Sequence, residues 1–382
     1  MIKKTVQILD TTLREGEQTP GVSFTHAQKI EIVKKLDGFG VDFIEVGHPA
    51  VSVDIYESIK EINKLSINSL TIVHSRLKKE DIKDAIDLKI SWVGIFFGTS
   101  QNYLFDKYKI DEQKCLEMIR DGILYAKDNG LKVRFTAEDA SRTDISFLLN
   151  VARVAKEAGA DRFSIADTVG ILYPEKVSKL INLFVNELDI PIHAHFHNDF
   201  GLATSNALQA IISGATCVDV SINGLGERCG ISSLAEVTMS LDELLKVENN
   251  WNFKLLNEMS QYVNQITGVN SKDTRPITGK NAFTHNAGLH VASVLKNSSA
   301  YEAILPSKVN RKSTFVIDKF SGRSALTHRL KKIGIKFNDK IIEKVVLYVK
   351  SNPQITDWTD KQLISLINKT KNQVINIQKS NQ

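Results

Sequence analysis

Eight short β-rich runs alternate with stretches of helical length over the first 248 residues, and few architectures tolerate that pattern. The runs are TVQILDT (5–11), DFIEVGH (42–48), SLTIVH (69–74), SWVGIFFG (91–98), LKVRFTAE (131–138), RFSIADT (162–168), IPIHAHFH (190–197) and CVDVSING (217–224). Between them lie amphipathic segments such as THAQKIEIVKKLDGFG, where Ile30, Val33, Leu36 and Phe39 recur at helical spacing before a closing glycine. Strand and helix alternating eight times is the sequence form of a (β/α)8 TIM barrel. The competing doubly wound open sheet would carry a GxGxxG turn after its first strand, and ILDTTLREG has none.

A barrel uses about 250 residues, so a chain of 382 leaves room for an annex. The expected division is a catalytic barrel at 1–248 and a mainly helical C-terminal annex at 249–382. The longest apolar run, around ISWVGIFF, falls far short of the roughly 18 residues of a membrane span, and MIKKTVQILD leads straight into a strand. Three cysteines without a CxxC make neither a disulfide framework nor a zinc finger. The reading is a soluble protein of a reducing, cytoplasmic compartment. The net charge of +5 is dispersed along solvated helix faces, with no basic stripe interleaved with aromatics, which argues against a nucleic-acid partner.

In a barrel the chemistry gathers where the C-terminal strand ends converge. Asp10, Glu45, His48, His74, Arg134, Glu138, Asp167, Thr168, His195, His197 and Asn223 all stand at or just past such ends. The strongest local signal is HAHFHND (193–199). Strand residues two apart share a face, so His195 and His197 can offer two imidazoles to one cation, with Asp10 as a third, anionic ligand and His193 as an alternative partner. A His2Asp set suits catalytic Zn, Mn, Co or Mg, and the ligand types do not choose among them. Arg14 and Arg134 point to an anionic, oxygen-rich substrate, because a guanidinium fork binds carboxylate bidentately. Glu15, Gln18 and Glu138 are candidate bases or orienters, and Glu138 can equally pair with Arg134. GLGERCG (224–230) follows strand eight without a Walker lysine, a weak phosphate signal. In the annex, FTHNAGLH brings His285 and His290, with Tyr301 beyond; these can deliver an acid or base if the annex reaches a barrel mouth.

Together, LDTTLREGEQTPG, HFHND, GLGERCG and FTHNAGLH resemble the metal-dependent acyltransferase family of isopropylmalate, citramalate and homocitrate synthases. IEVGHPAVSVDIYE, VRFTAEDASRTD, SIADTVGILYP and GERCGI look most like the archaeal homocitrate branch, and Ile231 stands where isopropylmalate synthases usually continue GERxGN. The resemblance implies condensation of acetyl-CoA with 2-oxoglutarate and thioester hydrolysis, giving homocitrate and CoA at the entry to lysine biosynthesis by the α-aminoadipate route. Isopropylmalate or citramalate synthesis is the nearest alternative, and a metal-dependent barrel aldolase or lyase a remoter one. It further implies Asp10, His195 and His197 as metal ligands, with Arg14 at the reacting carbonyl and Glu15 and Gln18 beside it. Arg134, Thr136 and Thr168 would hold the 2-oxoacid with support from Glu138, and His74 would meet its distal carboxylate. His285 and Tyr301 would act from the neighbouring subunit, hence a homodimer. Where some lysine-regulated homocitrate synthases have an aspartate on strand four, Gly94 stands here, so lysine inhibition through that contact is not expected.

Overall fold

The computed structural model describes residues 6–269 and 273–380, the side chains of 374–380 excepted. Eight parallel strands close into a barrel in sequence order. They are β1 (Gln7–Asp10), β2 (Phe43–Glu45), β3 (Leu70–Arg76), β4 (Trp92–Gly98), β5 (Lys132–Glu138), β6 (Arg162–Asp167), β7 (Ile192–Phe196) and β8 (Cys217–Val220). All eight coincide with the predicted runs; Thr5, where the first was predicted to start, lies outside the described residues. The helices between and after them are α1 (His26–Phe39), α2 (Val53–Ile62), α3 (Lys79–Asp87), α4 (Glu112–Asp128), α5 (Ile145–Glu157), α6 (Pro174–Glu187), α7 (Ala203–Ile212) and α8 (Leu234–Glu243).

Local chemistry explains the boundaries. Thr25 and Gln28 form a reciprocal capping box at the start of α1, and Gly40, at φ 99°, ends it in the left-handed conformation that a glycine adopts without strain. The buried stripe of α1 is Lys29, Ile32, Val33, Leu36 and Phe39. Ile32 replaces the expected Ile30, because the helix phase is set by the face that meets the barrel. Lys29 joins the stripe because its ammonium meets Glu17 at 3.0 Å.

Closure sets which strand positions meet across the interior. β1 pairs with β8 so that Leu9 lies beside Asp219, and His74, Gly94 and Arg134 stand abreast on β3, β4 and β5. A Cβ on Gly94 would lie 3.1 Å from Arg134 Nη2 and 3.5 Å from Glu45 Oε1. The missing side chain is what lets those two groups meet.

The chain divides into two compact units, 1–271 and 272–382, later than the expected 248. The added segment is α9 (Leu255–Thr267), which packs on α1 and is tied by Asn223 Nδ2 to Ser260 O and Asn264 Oδ1. Asn223 is therefore an anchor for α9. The second unit holds a two-stranded parallel pair, β9 (Thr284–His285) and β10 (Thr314–Phe315), with α10 (Gly288–Val294), α11 (Arg323–Lys332), α12 (Asp339–Lys350) and α13 (Asp360–Ser380). Its core gathers Val291, Leu326, Leu330, Ile342, Val345, Trp358 and Ile367. No helix among the described residues is long and apolar enough to cross a membrane.

Candidate active site

A cavity of about 360 Å³ opens at the C-terminal ends of the strands, lined among others by Arg14, Glu15, Gln18, His48, His74, Arg134, Thr136, Glu138, Thr168, His195, His197 and Asp219. Ten residues expected in the barrel site thus come together. Asp10 lies apart from this lining, and His285 and Tyr301 belong to the second unit.

β1 runs into the tight turn DTTLREGEQ, closed by Gly16 N donating to Thr11 O, and that turn carries Arg14 and Glu15 over the mouth. Arg14 Nε donates to Glu45 Oε2 at 2.6 Å and its Nη1 pairs with Glu15. Glu15 Oε1 also accepts from the Glu227 backbone N–H at 3.0 Å. Although burial opposes its charge, Arg14, then His195 and His197, hold the Glu15 carboxyl down at about 2. GLGERCG is therefore a clamp on the catalytic turn: Gly226 N donates to Thr19 Oγ1 while Glu227 N binds Glu15. Gly230, at φ 81°, permits the close turn, since a Cβ there would lie 1.9 Å from Gly224 O.

Three donors converge. Ligand atoms of Glu15, His195 and His197 lie within 4.8 Å of one another, and all three residues are buried. His195 Nδ1 stands 2.9 Å from Asp219 Oδ2, which holds the ring with Nε2 facing His197 Nε2 at 3.3 Å. Burial, then the neighbouring His195, lowers His197 to about 3, leaving it neutral. Two facing imidazole nitrogens and a carboxylate are a donor set suited to a divalent cation, with the carboxylate behind His195 orienting its ring.

Glu15, rather than the expected Asp10, is the carboxylate whose ligand atom lies within 4.8 Å of both imidazoles. Asp10 is wholly buried at the end of β1, where its Oδ1 accepts from Thr12 N at 2.8 Å and shapes the turn. Its Oδ2 has no hydrogen-bond partner among the described residues, and burial pushes the carboxyl up to about 7.

Arg134 departs from expectation too. Both its terminal nitrogens are committed, Nη2 to Glu45 Oε1 at 2.8 Å and Nη1 to Asp219 at 3.3 and 3.4 Å; Nε alone lacks a partner among the described residues. Glu138 does not pair with it. Its Oε1 accepts from Tyr103 Oη at 3.2 Å, its Oε2 is buried without a partner, and burial raises its proton affinity. Tyr103 comes from a π-helical turn, Asn102–Tyr108, after β4. Thr136 Oγ1 is also unpartnered, whereas Thr168 Oγ1 accepts from Asp139 N at 2.8 Å. His74 stacks on Phe96 at 4.3 Å and places Nδ1 3.1 Å from Glu45 Oε1. Gln18 Oε1 reaches Arg14 at 3.4 Å. Asp167 serves its own loop, accepting from Ile171 N and Leu172 N.

Sequence reasoning gave no role to the two carboxylates that organise the site. Glu45 binds both arginines, His74 and Thr11, and Asp219 binds Arg134 and His195 and stands 2.7 Å from His193 Nε2. Despite complete burial, both are held well below the usual carboxylate range by these cations and imidazoles. The available signal was an acid inside a wholly buried strand, as in CVDV.

In the second unit, His285 Nε2 lies 3.0 Å from Glu302 Oε1, which also accepts from Ser313. The exposed His290 stacks on Tyr301 with ring centroids 4.0 Å apart.

The chain belongs to the HMGL-like family, whose profile matches residues 5–263, and a homocitrate synthase post-HMGL domain-like profile follows at 277–356. Among curated proteins it is similar to a homocitrate synthase of Sulfurisphaera tokodaii, 45% identical over 97% of this chain and 81% of that one. A homocitrate synthase of Saccharolobus solfataricus is 43% identical over 98% and 82%. Among solved structures, the HMG-CoA lyase of Bacillus subtilis superposes with a TM-score of 0.63 at 19% identity, over 70% of this chain and 95% of that one, a likeness of fold.

Proposed function

We propose that this enzyme is a homocitrate synthase, condensing acetyl-CoA with 2-oxoglutarate and hydrolysing the thioester to homocitrate and CoA. The observation that carries the reading is the convergence of Glu15, His195 and His197 beside Arg14, in a chain similar over nearly its whole length to homocitrate synthases. With it go a homodimer, a cytoplasmic setting and a role in lysine biosynthesis.

Glu15, His195 and His197 would hold a divalent cation, of the kind represented by Mg, Mn, Zn or Co. The chemistry such a cation supplies when bound is polarisation of a ketone and neutralisation of the charge that grows on its oxygen. Arg14, fixed between Glu15 and Glu45, sets a second positive charge at the same place. Thr136 Oγ1 and Arg134 Nε are the unpartnered donors that can receive the 2-oxoacid. A base must take a methyl proton from acetyl-CoA. Glu15 is too acidic for this, and Glu138, with raised proton affinity and a free Oε2, fits better.

The test is thiol release from acetyl-CoA with a divalent metal present, comparing 2-oxoglutarate, 2-oxoisovalerate and pyruvate at equal concentrations. A clear preference for 2-oxoglutarate is expected. Preference for another 2-oxoacid would move the enzyme to isopropylmalate or citramalate synthesis, and turnover without acetyl-CoA would make it a lyase.

A further inference from the structure

Glu138 lines the cavity, and the segment that follows β4 is shaped around it. Strand β4 ends at Gly98, directly beside Glu138 on β5. Thr99 N then donates to Glu138 O at 3.1 Å, and Ser100 Oγ donates to Asp139 Oδ2 at 2.5 Å. Asp139 itself lies in the left-handed region, at φ 61°, a conformation that is costly for a residue with a Cβ. The backbone carrying Glu138 is thus held from the neighbouring strand.

From Ser100 the chain enters the π-helical turn Asn102–Tyr108. In an α-helix a residue five positions on lies about 140° round the axis, off the first residue's face. Bonding to the fifth residue, as Lys109 N does to Leu104 O, widens the turn and brings positions four and five apart toward one side. Tyr103, Lys107 and Tyr108 meet on that side. Lys107 Nζ stands 4.5 Å from the centre of the Tyr103 ring and 5.3 Å from that of Tyr108, which in turn stacks on Phe97 at 4.4 Å. Room for the Tyr103 ring exists because residue 98 is glycine, since a Cβ there would collide with it. Tyr103 Oη donates to Glu138 Oε1 at 3.2 Å, which keeps the carboxylate from turning and leaves Oε2 as the oxygen without a partner among the described residues. Burial raises the proton affinity of Glu138, and Asp139 adds to this; Lys107, the Tyr103 hydrogen bond and Arg14 on the turn after β1 act against it. Tyr108 is the other titratable group that feels the same carboxylate.

We propose, resting on the reading of Glu138 as the base for acetyl-CoA, that Tyr103 is a positioning residue of the reaction: its hydroxyl, held in place by Lys107 and the π-helical turn, fixes Oε1 so that Oε2 takes the methyl proton, whose C–H electron pair passes to the enolate. A buried carboxylate deprived of such a donor keeps its proton to higher pH.

Tyr103→Phe removes the hydroxyl and keeps the ring. With a divalent metal present and 2-oxoglutarate saturating, kcat/KM for acetyl-CoA is measured against pH. The acid limb should move up by about half a pH unit or more, while KM for 2-oxoglutarate stays within two-fold and Tm within about 3 °C. Lys107→Met should move the limb the same way, and Lys107→Arg, which keeps the charge over the ring, should leave it in place. Lys107 is exposed, so these two variants decide the matter should Tyr103→Phe fold poorly. A limb that stays at its wild-type position in Tyr103→Phe, or in Lys107→Met where the first does not fold, overturns the positioning role. Glu138→Gln separates this from the reading beneath it. A fall in kcat of more than ten-fold keeps Glu138 as the base whatever the limb does, and a smaller fall removes both the base and the role of Tyr103.

Discussion

Replacing Asp219 with Asn changes one heavy atom and disturbs three partners. The carboxylate is 2% exposed and faces Arg134 Nη1 at 3.3 and 3.4 Å, His193 Nε2 at 2.7 Å and His195 Nδ1 at 2.9 Å. An asparagine retains one acceptor oxygen and turns an amide donor toward groups that are themselves donors. Removing one partner of a buried ion pair costs about 3–5 kcal/mol; with Glu45 still on Arg134, the lower end applies, about 3 kcal/mol. In a unit of this size that is a fall in Tm of roughly 6–12 °C. A separate consequence concerns the cation. Without the carboxylate on Nδ1, His195 no longer presents Nε2 in one orientation, and loss of such an outer partner weakens metal binding about 10–100-fold. Thermal unfolding of chelator-treated protein reads the first effect, and competition of the folded variant against a chromophoric chelator reads the second. A variant that unfolds earlier but binds the cation within two-fold of wild type would refute the orienting role and leave Asp219 as a counterion to Arg134.

Gly94→Ala places a methyl 3.1 Å from Arg134 Nη2 and 3.5 Å from Glu45 Oε1, so the 2.8 Å bond between those groups must give. A loss of about 1–3 kcal/mol is expected by urea unfolding, and a stability within 0.5 kcal/mol of wild type, roughly the scatter of a harmless change, would show that the pair shifts freely. Acid should destabilise the metal-free protein earlier than carboxylate titration allows. Burial lowers His74 and His193 to about 4 and His197 to about 3 from an ordinary value of 6.5. The unfolded chain therefore binds protons first: stability is complete above about pH 6.5 and falls as pH drops toward the folded values, by up to about 1.4 kcal/mol per pH unit per histidine. A urea midpoint that stays flat from pH 7.5 to 5 in chelator-treated protein would contradict this, since the depressed Glu45 and Asp219 lose their contribution only at lower pH.

Periodicity alone determined much of this protein. Eight apolar runs with helical intervals made a closed barrel legible, because a parallel strand buried on both faces and an amphipathic helix leave different spacing in the chain. HAHFH placed His195 and His197 on one face by the two-residue repeat of a strand, and their Nε2 atoms do meet at 3.3 Å. What needed three dimensions were the partners of those residues. Whether Asp10 or Glu15 faces the imidazoles depends on how the turn after β1 folds back and on the Glu227 amide that catches it, 212 residues away. Asp219 reaches His195 from the neighbouring strand and Arg134 across the barrel interior, and Glu45 meets both arginines, the one on β5 over the space left at Gly94. Spacing along a chain encodes which face a side chain shares. The countercharge that face finds across the barrel is decided by closure and register, where burial makes an unpaired charge too costly to leave alone.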